Sequence, residues 1–300
     1  MNAVFSHRPV LRDQVVAWLT QNGGERYVDA TVGGGGHAEA LLAARPAIRV
    51  WAVDQDPEAV AAARERLRPY GERVQVVQGN FRHLAALVPA AFRPVDGVLF
   101  DLGVSQWQLE RPERGFSYQH DAPLDMRMDP AGDRSAFQLV NMGSFEELTR
   151  VIREWGEERW AGRIAAFIVE ARRREPIRTT GQLVDVIKAA VPAAARRTGG
   201  HPARRTFQAL RIWVNQELEA LEEGLDAARD LLAPGGRIAV LSFHSLEDRI
   251  VKVRLRQWQE AGWGTVLTRH PVVPEPAERA ENPRSRSAKL RVFARRAESS

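Results

Sequence analysis

Short apolar runs alternate with amphipathic stretches over the first hundred residues. Four of these runs are rich in Val, Leu and Phe and end at or near Gly or Asp, which is typical of buried parallel strands. They are RYVDATV, RVWAVDQ, VQVVQG and VDGVLFDLG, and helical patterns such as AEALLAAR and PEAVAAARERL lie between them. Strand and helix in alternation predict an α/β fold with a doubly wound, Rossmann-like sheet.

The alternation stops after DLGVSQWQ. The sequence from Glu110 to about Met142 is rich in turn residues and charges. Two capping boxes then predict helices, and their polar pairs are Ser144 with Glu147 and Thr179 with Gln182. This part of the chain therefore reads as a mostly helical insertion.

The α/β pattern returns near the end of the chain. One long helix is predicted over RTFQALRIWVNQELEALEEGLDAARDLL, closed by APGG, and the predicted strands RIAVLSF and KLRVFARR follow. The sequence thus predicts a sheet domain in two parts, residues 1–106 and 206–300, with residues 107–205 as the helical insertion.

Charge is distributed unevenly along the 300 residues. The net charge is +5, but residues 159–205 carry 11 basic and 3 acidic side chains, and residues 281–300 carry 6 and 2. Two basic segments on an otherwise acidic chain favour a polyanionic partner, although a solvated helix face with a basic tail gives the same pattern.

Composition excludes several classes of protein. The 44% apolar content suffices for a globular core, and the lack of cysteine excludes disulfides, thiolate metal sites and cysteine nucleophiles. No secretory signal and no apolar run of about 20 residues is present, so we expect a cytoplasmic protein. We expect no metal site, and the sequence leaves open whether the chain forms a homodimer.

Four successive glycines, Gly33 to Gly36, follow the first predicted strand. A glycine-rich turn at the carboxyl end of such a strand lets the backbone approach a ligand closely. On the next strand, Asp56 before Pro57 is placed to cap a helix, which leaves Asp54 free to accept hydrogen bonds from a ribose diol. The pattern predicts a nucleoside-bearing cofactor, either NAD or S-adenosylmethionine.

Two further acids favour S-adenosylmethionine. Asp29 precedes the glycines, and Asp101 ends the fourth strand in VLFDLGVS. Carboxylates suit a sulfonium or an ammonium group better than a pyrophosphate. Asp29 can equally be a strand-end acid bonded to nearby amides.

The chain resembles the MraW/RsmH family of bacterial methyltransferases over nearly its whole length. The matching stretches are SHRPVL, DATVGGGGH, AVDQDP, DGVLFDLGVS, RGFSY, PLDMRMD, GEERWAGRIA, HPARRTFQALRIWVNQEL, APGGRIAVLSFHSLEDRIVK and NPRSRSAKLR. The resemblance implies an S-adenosylmethionine-dependent enzyme that methylates the N4 amino group of a cytidine in the decoding region of 16S rRNA. The substrate is then 16S rRNA, in the small ribosomal subunit, with a methyltransferase of other RNA or non-RNA substrates as the alternative.

The resemblance also implies a set of cofactor-binding residues. These are Gly35, Gly36 and His37 along the cofactor, Asp54 at the ribose, Phe81 beside the adenine, and Asp101 and Gln108 completing the pocket. Gln106 and Trp107 intervene before Gln108 where family members commonly have a second serine and often a proline.

Catalysis needs an acceptor for the amino proton, and Asp101 is our candidate, with a purely cofactor-binding role as the alternative. Arginines of the insertion are expected to contact RNA phosphates: Arg172 to Arg174, Arg196 with Arg197, and Arg204 with Arg205. His7 and His244 either face the substrate or serve the fold. Ser245 and Asp248 read as a capping box. A nicotinamide-dependent oxidoreductase and a non-catalytic ribosome-associated protein are the rivals from other classes.

Overall fold

A computed structural model describes residues 9–109, 111–196 and 200–297. The chain divides into two compact units, one formed by Met1–Ser105 with Leu218–Ser300 and the other by Gln106–Glu217. The second boundary lies after the predicted residue 205 because the helix Arg204–Asn215 packs against the helices of the second unit.

The first unit is built on a seven-stranded sheet. Its strands are β1 Arg26–Asp29, β2 Arg49–Asp54, β3 Val74–Gln78, β4 Val95–Asp101, β5 Leu232–Ser242, β6 Gly264–Val266 and β7 Lys289–Arg295. Their order is β3-β2-β1-β4-β5-β7-β6, parallel except for β7, which runs antiparallel to β5 and β6. The strand order reverses between β1 and β4, at the centre of the sheet. The predicted doubly wound α/β fold is confirmed.

Fourteen α-helices occur in the described residues. In chain order they are α1 Arg12–Thr20, α2 Gly36–Ala44, α3 Pro57–Leu67, α4 Leu84–Leu87, α5 Gln106–Leu109, α6 Ala136–Met142, α7 Phe145–Glu154, α8 Ala161–Arg174, α9 Thr180–Ala190, α10 Ala193–Arg196, α11 Arg204–Asn215, α12 Glu217–Leu231, α13 Ser245–Glu260 and α14 Pro276–Glu281. None of these helices combines the length and the apolar character needed to cross a lipid bilayer.

Both faces of the sheet are covered by helices. Successive residues of a strand point to opposite faces, so Tyr27 and Leu99 join a core with α1, α2 and α3, while Val28 and Phe100 join a second core with α4, α12 and α13. Burial on both faces explains why the strands read as continuous apolar runs rather than as alternating ones.

The second unit is helical, and two of its helices begin where the sequence predicts. The Ser144 side chain accepts a hydrogen bond from the Glu147 amide at the start of α7, and Thr179 and Gln182 form a reciprocal capping box at the start of α9. Both predicted helix starts are confirmed.

The single long helix predicted before β5 is wrong. Gln216 adopts a left-handed conformation (φ 49°) that a continuous helix does not permit, so the segment forms α11 and α12. Just before the break, the side-chain amide of Asn215 donates to the carbonyl of Arg211 and to that of Met126. The hydrogen bond to Met126 is a tertiary contact with a residue distant in sequence, and helical periodicity alone does not reveal it.

Candidate functional site

The glycine turn joins β1 to α2 at the carboxyl edge of the sheet. Gly35 has a φ of 83°, a left-handed conformation that favours glycine, and a Cβ on Gly36 would lie 2.5 Å from Pro9. A Cβ on Gly34, in contrast, would meet no atom within 4 Å. The turn therefore needs glycine for its own geometry and also leaves backbone open to a ligand.

Asp54 ends β2 and supports this turn. Its carboxylate accepts hydrogen bonds from the amides of Gly33 (2.8 Å) and Asp56 (2.9 Å), and its acceptance of a ribose hydroxyl stays a prediction. Asp56 caps α3 through the Glu58 amide, as predicted. Burial raises the pKa of Asp54 to about 6. Each carboxylate oxygen keeps a second lone pair, which can accept from a hydroxyl.

Asp29, at the end of β1, is fully buried. One of its carboxyl oxygens accepts from the Thr31 amide at 3.2 Å, and the other, Oδ2, has no hydrogen-bond partner among the described residues. Burial, together with the nearby charges of Asp101 and Asp54, raises the pKa of Asp29 to about 8, while the backbone amides of Thr31 and Ala38 act to lower it. A buried carboxyl oxygen without a partner is a position that a bound donor or cation would satisfy.

Asp101 ends β4 beside the turn. Its amide donates to the Thr31 hydroxyl at 2.6 Å, while its carboxyl oxygen Oδ1 is buried and unpaired within the described part of the chain. Burial raises the pKa of Asp101 to about 7, with Glu247 acting in the same direction and the positive charge of Arg284 acting against it. A group that titrates near neutral pH is suited to accept a proton.

His37 lies in the first turn of α2, and its Nε2 is 3.5 Å from Oδ2 of Asp101. The ring is buried, and neither of its nitrogens has a hydrogen-bond partner in the described chain. Burial, together with the charge of Arg12, lowers the pKa of His37 to about 4. The imidazole is therefore neutral at pH 7 and offers one donor and one acceptor.

Three carboxyl groups thus lie at the ends of neighbouring strands, β2, β1 and β4. Burial penalises their ionised forms, and Asp29 feels the charges of both others. A cation brought among them favours ionisation of all three, because it offsets their mutual repulsion and their loss of hydration. In open α/β sheets this edge, where the strand order reverses, is where ligands bind.

Phe81 follows β3 and is half-buried. Its ring meets Phe100 edge to face at a centroid distance of 5.5 Å, and a Cβ on Gly224 would lie 2.6 Å from that ring. The side chain thus packs against the core of the first unit, and its contact with an adenine stays a prediction. Gln108 is buried in α5 of the second unit, and its role in the pocket also stays a prediction.

His244 has a structural role that the sequence assigns to another pair. It is the N-cap of α13, where His244 and Glu247 form the reciprocal box, so the predicted box of Ser245 and Asp248 is wrong. Asp248 instead pairs with Lys289 and Arg291 of β7. These ion pairs, of which the one with Arg291 is buried, direct Asp248 toward the sheet rather than toward the helix terminus.

The arginines that the sequence predicts to contact RNA fall into two groups. Arg172 is half-buried and donates to the carbonyls of Val140 and Gly143 at the end of α6. Arg173 and Arg174 have side chains that are 73% and 83% exposed, and both pair with Glu170.

Further along the second unit, Arg205 donates to the Glu157 carbonyl, and Arg196 and Arg204 are exposed. Arg197 and His7 lie outside the described residues.

Two residues that contribute to the site, Thr31 and Arg284, were not identified from the sequence. Both lie inside stretches that carry the family resemblance, DATVGGGGH and NPRSRSAKLR.

Comparison with known proteins gives the site its context. The model of the MraW methylase family matches residues 4–296. The chain belongs to the MraW methylase family. The resemblance found in the sequence is confirmed, and the oxidoreductase and non-catalytic interpretations are wrong. As a member of the MraW family the chain is a methyltransferase, and its methyl donor is S-adenosylmethionine.

Three relatives of this chain are named "Ribosomal RNA small subunit methyltransferase H". The protein of Symbiobacterium thermophilum is 53% identical over 96% of this chain and 96% of its own length. That of Geotalea daltonii is 52% identical over 97% and 98%, and that of Heliobacterium modesticaldum is 50% identical over 96% and 98%. The likeness thus spans both units.

Proposed function

We propose that this protein transfers a methyl group from S-adenosylmethionine to the N4 amino group of a cytidine in the decoding region of 16S rRNA. The full-length likeness to relatives named for methylation of small-subunit ribosomal RNA supports the substrate class. The observation that carries the chemistry is the cluster of Asp29, Asp54, Asp101 and the neutral His37 around the glycine turn.

The donor set of this cluster fits the cofactor. S-adenosylmethionine supplies an electrophilic methyl group on a positively charged sulfur. The unpaired oxygens of Asp29 and Asp101 suit positive charge, and the His37 ring nitrogens, unpaired within the described residues, offer hydrogen bonds. Gly35 and Gly36 would line the cofactor with backbone, and Asp54 would accept from the ribose.

Phe81 and Gln108 complete the proposed set of cofactor-binding residues. Phe81 would offer the face of its ring to the adenine, while its edge contact with Phe100 holds the ring in place. Gln108 would give and accept hydrogen bonds at a polar edge of the pocket.

The protein's task in the reaction is alignment, exclusion of water and proton removal. The N4 lone pair of cytosine is delocalised into the ring, so the nitrogen must be held in line with the carbon–sulfur bond that breaks. A bond forms between N4 and the methyl carbon, and one amino proton has to leave. We assign its acceptance to the Asp101 carboxylate, which a pKa of about 7 keeps partly ionised at neutral pH.

The second unit is proposed to bind the RNA. Arg173, Arg174 and Arg204 are exposed there, and exposed arginines are suited to phosphate contacts that position a single-stranded or flipped cytidine. Arg172 is better explained by its two backbone carbonyls. We further propose the small ribosomal subunit as the form of the substrate, the cytoplasm as the location and a homodimer as an assembly to be tested.

The test uses methyl-labelled S-adenosylmethionine and small ribosomal subunits from cells that lack this enzyme. After incubation the RNA is digested and the labelled nucleoside is identified. We expect label in N4-methylcytidine. Label in another nucleoside, or cofactor binding without any label in RNA, would contradict the rRNA assignment and leave a methyltransferase of another substrate. Free 16S rRNA in a parallel reaction separates naked RNA from the assembled subunit.

A further inference from the structure

Arg284 connects the C-terminal part of the chain to the loop that leaves β4. Its guanidinium Nη2 donates to the Val104 carbonyl at 2.8 Å, across 180 positions of sequence. Val104 lies three residues after Asp101, so this hydrogen bond fixes the path of the chain just beyond the proposed proton acceptor. The contact lies wholly within the first unit.

The backbone that carries Arg284 is itself firmly held. Arg284 belongs to a short 3-10 helix, Pro283–Ser287, whose N-cap is Asn282, and the Asn282 side chain accepts from the Arg284 amide at 3.2 Å. Asn282 and Ser285 are buried, and the Ser285 hydroxyl donates to the Asn282 carbonyl at 2.8 Å. A guanidinium on such a support has a defined position at the site.

The charges that act on Asp101 differ in sign. The negative charge of Glu247 disfavours its ionised form, as does Asp29 whenever that group is ionised, and the neutral His37 ring, 3.5 Å away, contributes no charge. The Glu247 carboxylate is occupied by the amides of Phe243 and His244 and keeps its place in α13. Arg284 is the cation that opposes these acids.

We propose that Arg284 is a positioning residue for methyl transfer, which fixes the loop after β4 and holds a positive charge beside Asp101 so that its carboxylate is ionised when the cytosine amino group loses its proton. This inference rests on the proposed function, because it requires Asp101 to accept that proton. Arg284 itself need not touch the cofactor or the base.

Two neutral variants, R284Q and R284M, test the role of the positive charge on Arg284. Two are used because the test still stands if one of them fails to fold. R284K keeps the charge. R286Q is the matched control, since Arg286 is an exposed arginine of the same 3-10 helix. The first readout is a carboxyl ¹³C NMR titration of the free protein, with the Asp101 signal assigned as the one missing from D101N. The second is the pH dependence of kcat at saturating substrates.

Loss of a neighbouring opposite charge raises the pKa of a carboxyl group, so the Asp101 titration midpoint in R284Q and R284M moves to higher pH by about one unit or more. The acid limb of kcat moves with it, because the ionised form is the active one. R284K, which keeps the positive charge, shows little of this shift, and R286Q leaves both readouts where they are in the unmodified protein.

A titration midpoint that stays in place in the neutral variants overturns the proposal. A uniform loss of kcat with an unmoved acid limb also overturns it, because that result describes a merely structural role. If D101N retains full turnover, the error lies in the proposed proton acceptor, and if the unmodified enzyme labels no rRNA, it lies in the proposed function. The NMR titration reports on the Arg284 charge in either case.

Discussion

The carboxyl edge of the sheet and the arginines of the helical unit carry opposite charges in opposite settings. At the sheet edge, Asp29, Asp54 and Asp101 are held where burial raises their pKa values. In the helical unit, Arg173 and Arg174 are mostly exposed and pair with an exposed acid. The sheet edge holds buried carboxyl groups whose ionisation a small bound cation would favour. The helical unit presents solvated arginines that a large anion can contact.

This difference decides how precisely each function can be located. Buried groups without partners mark a site atom by atom, because each unpaired oxygen costs free energy until a ligand satisfies it. Exposed arginines mark a surface only, since water already satisfies them and ion pairs such as Arg173 with Glu170 contribute little. Mutations at the sheet edge should therefore have large and specific effects, and single changes of the exposed arginines should have small and additive ones.

The largest effect is expected from D101N. The amide cannot accept the amino proton as a carboxylate does, so kcat at saturating cofactor should fall by roughly 10²–10⁴-fold. Single-turnover methylation of small subunits measures it, and the Kd for S-adenosylmethionine, measured separately, reports any loss of cofactor binding.

D230N is the control for this experiment, because the Asp230 side chain is 60% exposed and pairs with Arg229 away from the cluster. Turnover that survives in D101N would leave Asp101 with a purely cofactor-binding role. A raised Kd at unchanged kcat would be its signature.

A smaller effect is expected when the exposed arginines of α8 are neutralised. R173Q/R174Q should weaken binding to small subunits on the order of tenfold and reduce the slope of log K against log salt by about 1.4, or about 0.7 for each lost contact with single-stranded RNA. Filter binding at several salt concentrations measures both quantities, and the Kd for the cofactor should stay the same.

R256Q is the matched control for the helix surface. Arg256 is 74% exposed and pairs with Glu260, four residues away as Glu170 is from Arg174, but it lies on α13 of the first unit. An unchanged salt slope in R173Q/R174Q would remove α8 from the proposed RNA surface.

Arg172 should behave differently from its two neighbours. R172A leaves the carbonyls of Val140 and Gly143 without their donor, which should lower the free energy of unfolding by about 1–3 kcal/mol. Urea denaturation measures this loss. R173A, which replaces the neighbouring exposed arginine, is the control. A change in the salt slope of RNA binding without a loss of stability would contradict the structural role of Arg172.

The sheet edge was largely predictable from sequence because its signals are local. Apolar runs that end in an acid or a glycine predict β1, β2 and β4, and parallel strands bring those ends to one edge of the sheet. The glycine turn and the acids Asp29, Asp54 and Asp101 follow from that reasoning. The helix starts at Ser144 and Thr179 were equally local, since a cap and its partner lie three residues apart.

Partners distant in sequence were not predictable in this way. The bond from the Gly33 amide to Asp54 spans 21 positions and depends on the shape of the turn. Arg172 reads as part of a basic run, yet its partners are the end of another helix. The break at Gln216 and the capping role of His244 likewise depend on packing, which residue types alone do not specify.

The smallest effect is expected in proton release on cofactor binding. This quantity reports most directly on the protonation of the buried carboxyl groups. At pH 7 Asp29, with a pKa of about 8, is mostly protonated, and Asp101, with a pKa of about 7, is about half protonated. A bound cation lowers both pKa values, so binding should release protons, on the order of one per site. Calorimetry in buffers of different ionisation enthalpy measures this number.

Two comparisons make proton release specific to the cluster. S-adenosylhomocysteine lacks the sulfonium charge and should release fewer protons than S-adenosylmethionine. D29N removes one titrating group and should reduce release with either ligand, and this loss should grow as pH falls from 8 toward 6, because more of Asp29 is protonated before binding. Binding enthalpies that do not depend on the buffer would show that the acids are already ionised in the free protein, and the contrast with the helical unit would then reduce to one of burial alone.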